Sequence, residues 1–169
     1  QLFKEETINM IEIIKIMAIA APVAYLLHCL EEFLVPGGFV TWYHHFRPAL
    51  NKQSSGYYWC VNIIAFIIVA VTGFYAYFTN NNNSGLIISS SFLASNALFT
   101  HVFGAIKTHK YSPGMFTGVC LYIPICIICY VVAFSNHLIN DNMLVIYIII
   151  GPLYELWNYS KYKRLVRVK

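Results

Sequence analysis

The sequence predicts an all-α, polytopic membrane protein, a compact bundle of about five transmembrane helices. Three observations predict it. The chain is 59% hydrophobic and only 11% charged, where an ordinary soluble domain carries about 25% charged residues. Its mean hydropathy is +0.61. Its apolar residues gather in five blocks, about Ile8–Leu34, Tyr57–Phe78, Leu86–Ile106, Met115–Ser135 and Met143–Tyr159. Most reach the ~20 residues that a helix needs to cross a ~30 Å hydrocarbon core. Barrel strands would be ~10 residues of alternating polarity, which these blocks are not. Residues 1–169 are therefore expected to form a single transmembrane domain.

The first block carries Glu12 and Lys15 and no small-residue cleavage site follows it, so it does not read as a cleaved signal peptide. Gln1 in place of Met suggests a trimmed or partial start. Asn80–Asn83 with Ser84-Gly85 reads as a polar turn between the second and third blocks. The fourth block holds Pro124, which is expected to kink it. The fifth is the shortest, and a basic tail over 160–169 follows it.

Charge sets the expected topology. The first and third connections (Arg47, Lys52; Lys107, Lys110) and the tail (Lys161, Lys163, Arg164, Arg167, Lys169) hold nine of the eleven Lys and Arg residues. Five spans put these segments on one side, which the positive-inside rule makes cytoplasmic, with the N-terminus outside. The expected location is thus the cell membrane, multi-pass. The tail serves as a topology signal that can also touch anionic lipid heads, and no nucleic-acid partner is expected.

Ionisable side chains stand out in such a chain, because each costs roughly 2.5–3.5 kcal/mol at a helix centre. His28-Cys29-Leu30-Glu31-Glu32 places three of them near the end of the first block. At about 100° per residue, Glu31 lies ~60° to one side of His28 and Glu32 ~40° to the other. All three share one arc that can face the bundle interior. Counting from the cytoplasmic ends puts His28 and His101 at a similar depth, about six residues or roughly 9 Å inside. Asn62, Thr117, Tyr122, Glu155 and Asn158 also fall in that layer.

His28, Glu31, Glu32 and His101 form a two-histidine, two-carboxylate set suited to a divalent transition metal such as iron, zinc or manganese. A mononuclear centre is easier to assemble than a two-metal one, which would need more carboxylates than Glu155. Asn96 and Glu155 are expected to complete the site, although Glu155 can also pair with the basic tail. His44-His45 sits in an aromatic connection suited to the membrane interface or, alternatively, to capping the site; His109 reads as a solvated loop residue, and His137 lies on the opposite side. Cys126 and Cys129 have CxxC spacing but sit in an apolar span without a second pair, so they read as packing.

His28-Cys29-Leu30-Glu31-Glu32, with Asn96-Ala97-Leu98-Phe99-Thr100-His101 and Lys110-Tyr111-Ser112-Pro113-Gly114-Met115-Phe116-Thr117, resembles the HXXEE family of small, mostly bacterial membrane proteins. The likeness spans about residues 25–135 and implies a fold and a site rather than a reaction. Ser112-Pro113-Gly114 has a physical reading of its own. Pro is pre-set for the first helical turn, and Ser112 is expected to be the N-cap of the fourth helix.

Three functions stay open. The first is a metal-dependent membrane enzyme, a hydrolase or oxidoreductase, acting on a lipid-soluble or amphipathic substrate. The second is metal-free acid–base chemistry on such a substrate, since the His28/Glu32 spacing is similar to that of five-span sterol isomerases of the emopamil-binding type. The third is a non-catalytic ligand-binding or proton-relay subunit. Five spans are few for a transporter monomer, so transport would call for a homo-oligomer.

Overall fold

The computed structural model describes residues 2–79 and 83–167, with side chains described from Ile11 onward. Six helices follow one another: α1 (Leu2–Phe33), α2 (Phe39–Phe46), α3 (Ser55–Thr79), α4 (Ser84–Thr108), α5 (Met115–Ser135) and α6 (Asp141–Arg167). Among the described residues there is no strand, and the all-α expectation holds. The expected Asn-rich turn lies mostly outside the described residues, as do Gln1 and the tail residues Val168 and Lys169.

Four helices are long and apolar enough to cross a membrane: Ile11–Phe33 of α1, α3, α4 and α5. The fifth apolar block lies inside α6, which runs 27 residues. That is ample length at ~1.5 Å per residue, but Glu155, Asn158 and the cations Lys161, Lys163, Arg164 and Arg167 dilute its second half. The sequence also missed a helix. The first connection is not a plain interfacial loop, because Phe39–Phe46 forms α2, whose Phe39, Trp42, Tyr43 and Phe46 are buried.

Most of the large side chains on α3 face outward, including Ile63, Ile64, Ile67, Ile68 and Phe74. In lipid, apolar exteriors cost nothing, so helices associate through close backbone approach and polar contacts instead. The interior shows this. Ala18, Ala21 and Ala24 of α1 are buried, and α3 meets α1 so closely that a Cβ added to Gly73 would clash with the Ala18 carbonyl oxygen. α4 meets α6 through Ser91 and Ser95 at Gly151, and the Ser91 hydroxyl donates to the Ile148 carbonyl at 3.0 Å. Tyr25 of α1 donates to Asn62 Oδ1 of α3 at 2.8 Å. Cys126 and Cys129 are buried free thiols, as the packing reading expected.

Two π-helical stretches interrupt the regular helices, Ala97–Val102 in α4 and Gly118–Tyr122 in α5. Pro124 lies just after the second. Each π turn re-aims the side chains that follow it, and such turns concentrate at functional sites. His101 lies within the first and Tyr122 ends the second.

Candidate functional site

The end of α1 sorts its side chains as its helical spacing requires. His28, Glu31 and Glu32 are buried, while Leu26, Leu27 and Leu30 face outward. Across the bundle, α4 supplies His101, which is fully buried. The two imidazoles meet edge to face with ring centroids 4.8 Å apart. One Glu32 oxygen, Oε1, stands 3.4 Å from His28 Nε2 and 3.4 Å from His101 Nε2. Ligand atoms of all three residues lie within 4.8 Å of one another.

Hydrogen-bond partners hold the Nδ1 edge of each ring. Thr117 has one hydroxyl proton and gives it to Glu31 Oε2 at 2.6 Å. Thr117 Oγ1 lies 2.9 Å from His28 Nδ1, so Nδ1–H donates to it and Nε2 is left facing Glu32. His101 Nδ1 faces the Ser112 hydroxyl at 2.9 Å. Its ring also shares a hydrogen bond with the Pro113 backbone; proline has no N–H, so the carbonyl accepts. His101 Nε2 and Glu32 Oε2 have no hydrogen-bond partner although both are buried. The Nε2 edges of two imidazoles and the Glu32 carboxylate thus converge in a buried group.

The donor set fits a small divalent cation. Tetrahedral zinc holds its nitrogen and oxygen ligands at ~2.0–2.1 Å, which separates neighbouring ligand atoms by roughly 3.4 Å, the value both Glu32–imidazole edges show. Each imidazole also has the outer hydrogen bond that metal-ligating histidines need to hold tautomer and orientation.

Glu31, expected as a fourth ligand, does other work. Its carboxylate accepts from the Tyr111 hydroxyl, the Phe116 N–H at 3.1 Å, the Thr117 N–H at 2.8 Å and the Thr117 hydroxyl. Phe116 and Thr117 open α5, so Glu31 caps that helix from a neighbouring one, satisfying amides that have no partner within it. Partial burial and the bond to Glu31 push the Tyr111 phenol up to about 12, so it remains a donor. The expected N-cap role of Ser112 is corrected accordingly. Gly114 precedes the first helical residue with φ 97°, and the Ser112 hydroxyl goes to His101. A Cβ on Gly114 would lie 2.6 Å from His101 Cε1 and 2.7 Å from His28 Cε1, so only glycine lets this turn cover both rings.

Asn96 and Glu155 meet each other rather than the His28–Glu32–His101 group. The Asn96 side chain hydrogen-bonds the Glu155 carboxylate, which also feels Arg47. Among the other histidines, His44 is half-buried and His45 exposed on α2, and His109 is exposed. His137 pairs at 3.9 Å with Asp141 at the surface. Sequence reasoning missed the aromatic lid over His101, in which Trp42 stacks at 6.1 Å and 11° and Phe39 lies at 5.8 Å. It also missed the burial of Arg47. The Trp42-Tyr43-His44-His45-Phe46 run was the available signal, and it read more readily as an interfacial belt than as a cap on the site.

No curated protein and no solved structure matches this chain. A family described as a protein of unknown function with HXXEE motif matches residues 19–129. That stretch holds α2, α3, α4 and the whole of the His28–Glu32–His101 group, and His28-Cys29-Leu30-Glu31-Glu32 supplies the motif itself. The chain belongs to the HXXEE family.

Proposed function

We propose that this protein is a metal-dependent membrane enzyme that acts on a lipid-soluble or amphipathic substrate at a mononuclear centre of His28, Glu32 and His101. One observation carries the reading: the Nε2 atoms of two buried imidazoles each lie 3.4 Å from one oxygen of the buried Glu32 carboxylate, and the three ligand atoms fall within 4.8 Å of one another. Three protein ligands leave a further position open, the pattern of catalytic rather than structural sites. A zinc, iron or manganese ion there would supply Lewis-acid activation of water or of a substrate group. The chain's own residues supply the rest. Thr117 and Ser112 orient the imidazoles, and Trp42, Phe39 and Tyr122 wall the centre with apolar rings. Burial among membrane-crossing helices favours a substrate that arrives from the lipid.

Elemental analysis of the purified protein tests this. The expected result is near-stoichiometric transition metal, lost in His28→Ala, His101→Ala and Glu32→Gln. Absence of metal, with no rebinding of zinc, iron or manganese, overturns it. A second reading, metal-free proton transfer, is favoured by the His28–Glu32 pair one helical turn apart. Tight binding of hydrophobic amines by metal-free protein would select it, because such amines mimic a carbocation.

A further inference from the structure

Arg47 directly follows α2, beyond the aromatic residues that cover His101. It is only 2% exposed and is the one buried Lys or Arg among the described residues. Its guanidinium is boxed by the rings of Tyr43 and Phe46, each 5.3 Å away, and of Tyr162 at 5.8 Å. Nε and Nη1 have no hydrogen-bond partner. The countercharge is Glu155 of α6, itself 5% exposed. Asn96 bonds its carboxylate, yet Oε2 has no partner. The Arg47 charge is felt at Glu155, but among the described residues no ion pair joins the two.

A buried cation and anion held apart, each with unused hydrogen-bonding capacity, are far costlier than a closed pair. The arrangement suits a ligand that bridges them. Such a ligand needs acceptor oxygens for the Arg47 N–H groups and an N–H donor for Glu155 Oε2. The pair is neutral overall, so a ligand carrying both charges suits it better than an anion or a cation alone. In a chain with four membrane-crossing helices, the ligand of that chemistry at hand is a zwitterionic lipid.

We propose that Arg47 and Glu155, with Asn96, form a binding site for the phosphoethanolamine headgroup of a membrane lipid. The phosphate accepts from Arg47, and the primary ammonium donates to Glu155. The aromatic rings around Arg47 shield both contacts from water. This goes beyond the metal reading and does not rest on it, because it uses none of His28, Glu32 and His101 and its readout is binding.

The test titrates full-length protein in detergent with lysophosphatidylethanolamine, lysophosphatidylcholine and lysophosphatidylglycerol, and with soluble phosphoethanolamine. Native mass spectrometry reads the bound lipid. The ethanolamine lipid should bind about tenfold tighter than the other two, one charge-assisted hydrogen bond of discrimination. Choline has no N–H for Glu155, and glycerol has no ammonium. Glu155→Gln should erase the preference for ethanolamine over choline, and Arg47→Gln should weaken both by about tenfold. Arg47→Lys, which keeps the charge, replaces Arg47→Gln should that variant fail to fold. Equal binding of the three lipids by the unaltered protein overturns the proposal without any variant. An ethanolamine preference that survives Glu155→Gln also overturns it. Soluble phosphoethanolamine binding as tightly as the lipid overturns the assignment to a membrane lipid.

Discussion

Adjacent carboxylates at residues 31 and 32 perform different tasks because a helix turns about 100° between them. Glu32 faces the two imidazoles, whereas Glu31 swings toward the start of α5 and caps it. Their variants should separate. Glu31→Ala removes the acceptor of four donors and should destabilise the fold by ~1–3 kcal/mol for the buried groups left unpaired, read as a lower melting temperature in detergent. It should also weaken metal by about 10–100-fold through the loosened Thr117 support of His28. Glu32→Gln should abolish metal with little loss of melting temperature; the reverse pattern would refute the division. Gly114→Ala should do both. Its φ of 97° and its 2.6–2.7 Å approach to the imidazole Cε1 atoms predict ~1–3 kcal/mol of strain and loss of bound metal.

At the scale of elements, small residues place the helices and π turns aim the ligands. Gly73 lets α3 approach the α1 backbone at Ala18. Gly73→Leu should cost ~1–3 kcal/mol through overpacking and weaken the Tyr25–Asn62 bond, seen as a lower melting temperature than Gly73→Ala gives. Unchanged melting in both variants would show that the α1–α3 contact is not limiting. The burial arc of His28, Glu31 and Glu32 was legible in the sequence, because helical periodicity needs no tertiary information. The role of Ser112 was not. Its position before a Pro-Gly turn reads as a cap on local rules alone, and only the neighbouring His101 ring and the competing Glu31 carboxylate decide otherwise.

For the whole molecule, charge asymmetry predicts that the N-terminus is outside and the basic C-terminal segment cytoplasmic. Reporter fusions at Lys52 and after Lys163 should both report the cytoplasm, and one in the Ser135–Asn142 turn should report the outside. Opposite signals at Lys52 and Lys163 would mean that α6 does not cross. That outcome matters because α6, unlike the other four long helices, carries a polar and basic second half.

Composition and periodicity alone determined the helical membrane class, the main blocks and the inward arc of His28, Glu31 and Glu32 on α1, since each follows from solvent and helix geometry. Tertiary structure alone decided which carboxylate meets the imidazoles, what holds each ring, and where Asn96 and Glu155 go. Those outcomes depend on hydrogen bonds between residues up to 89 positions apart, as from His28 to Thr117. They also depend on π turns that shift the facing of a helix partway along it. Neither leaves a local trace in the chain.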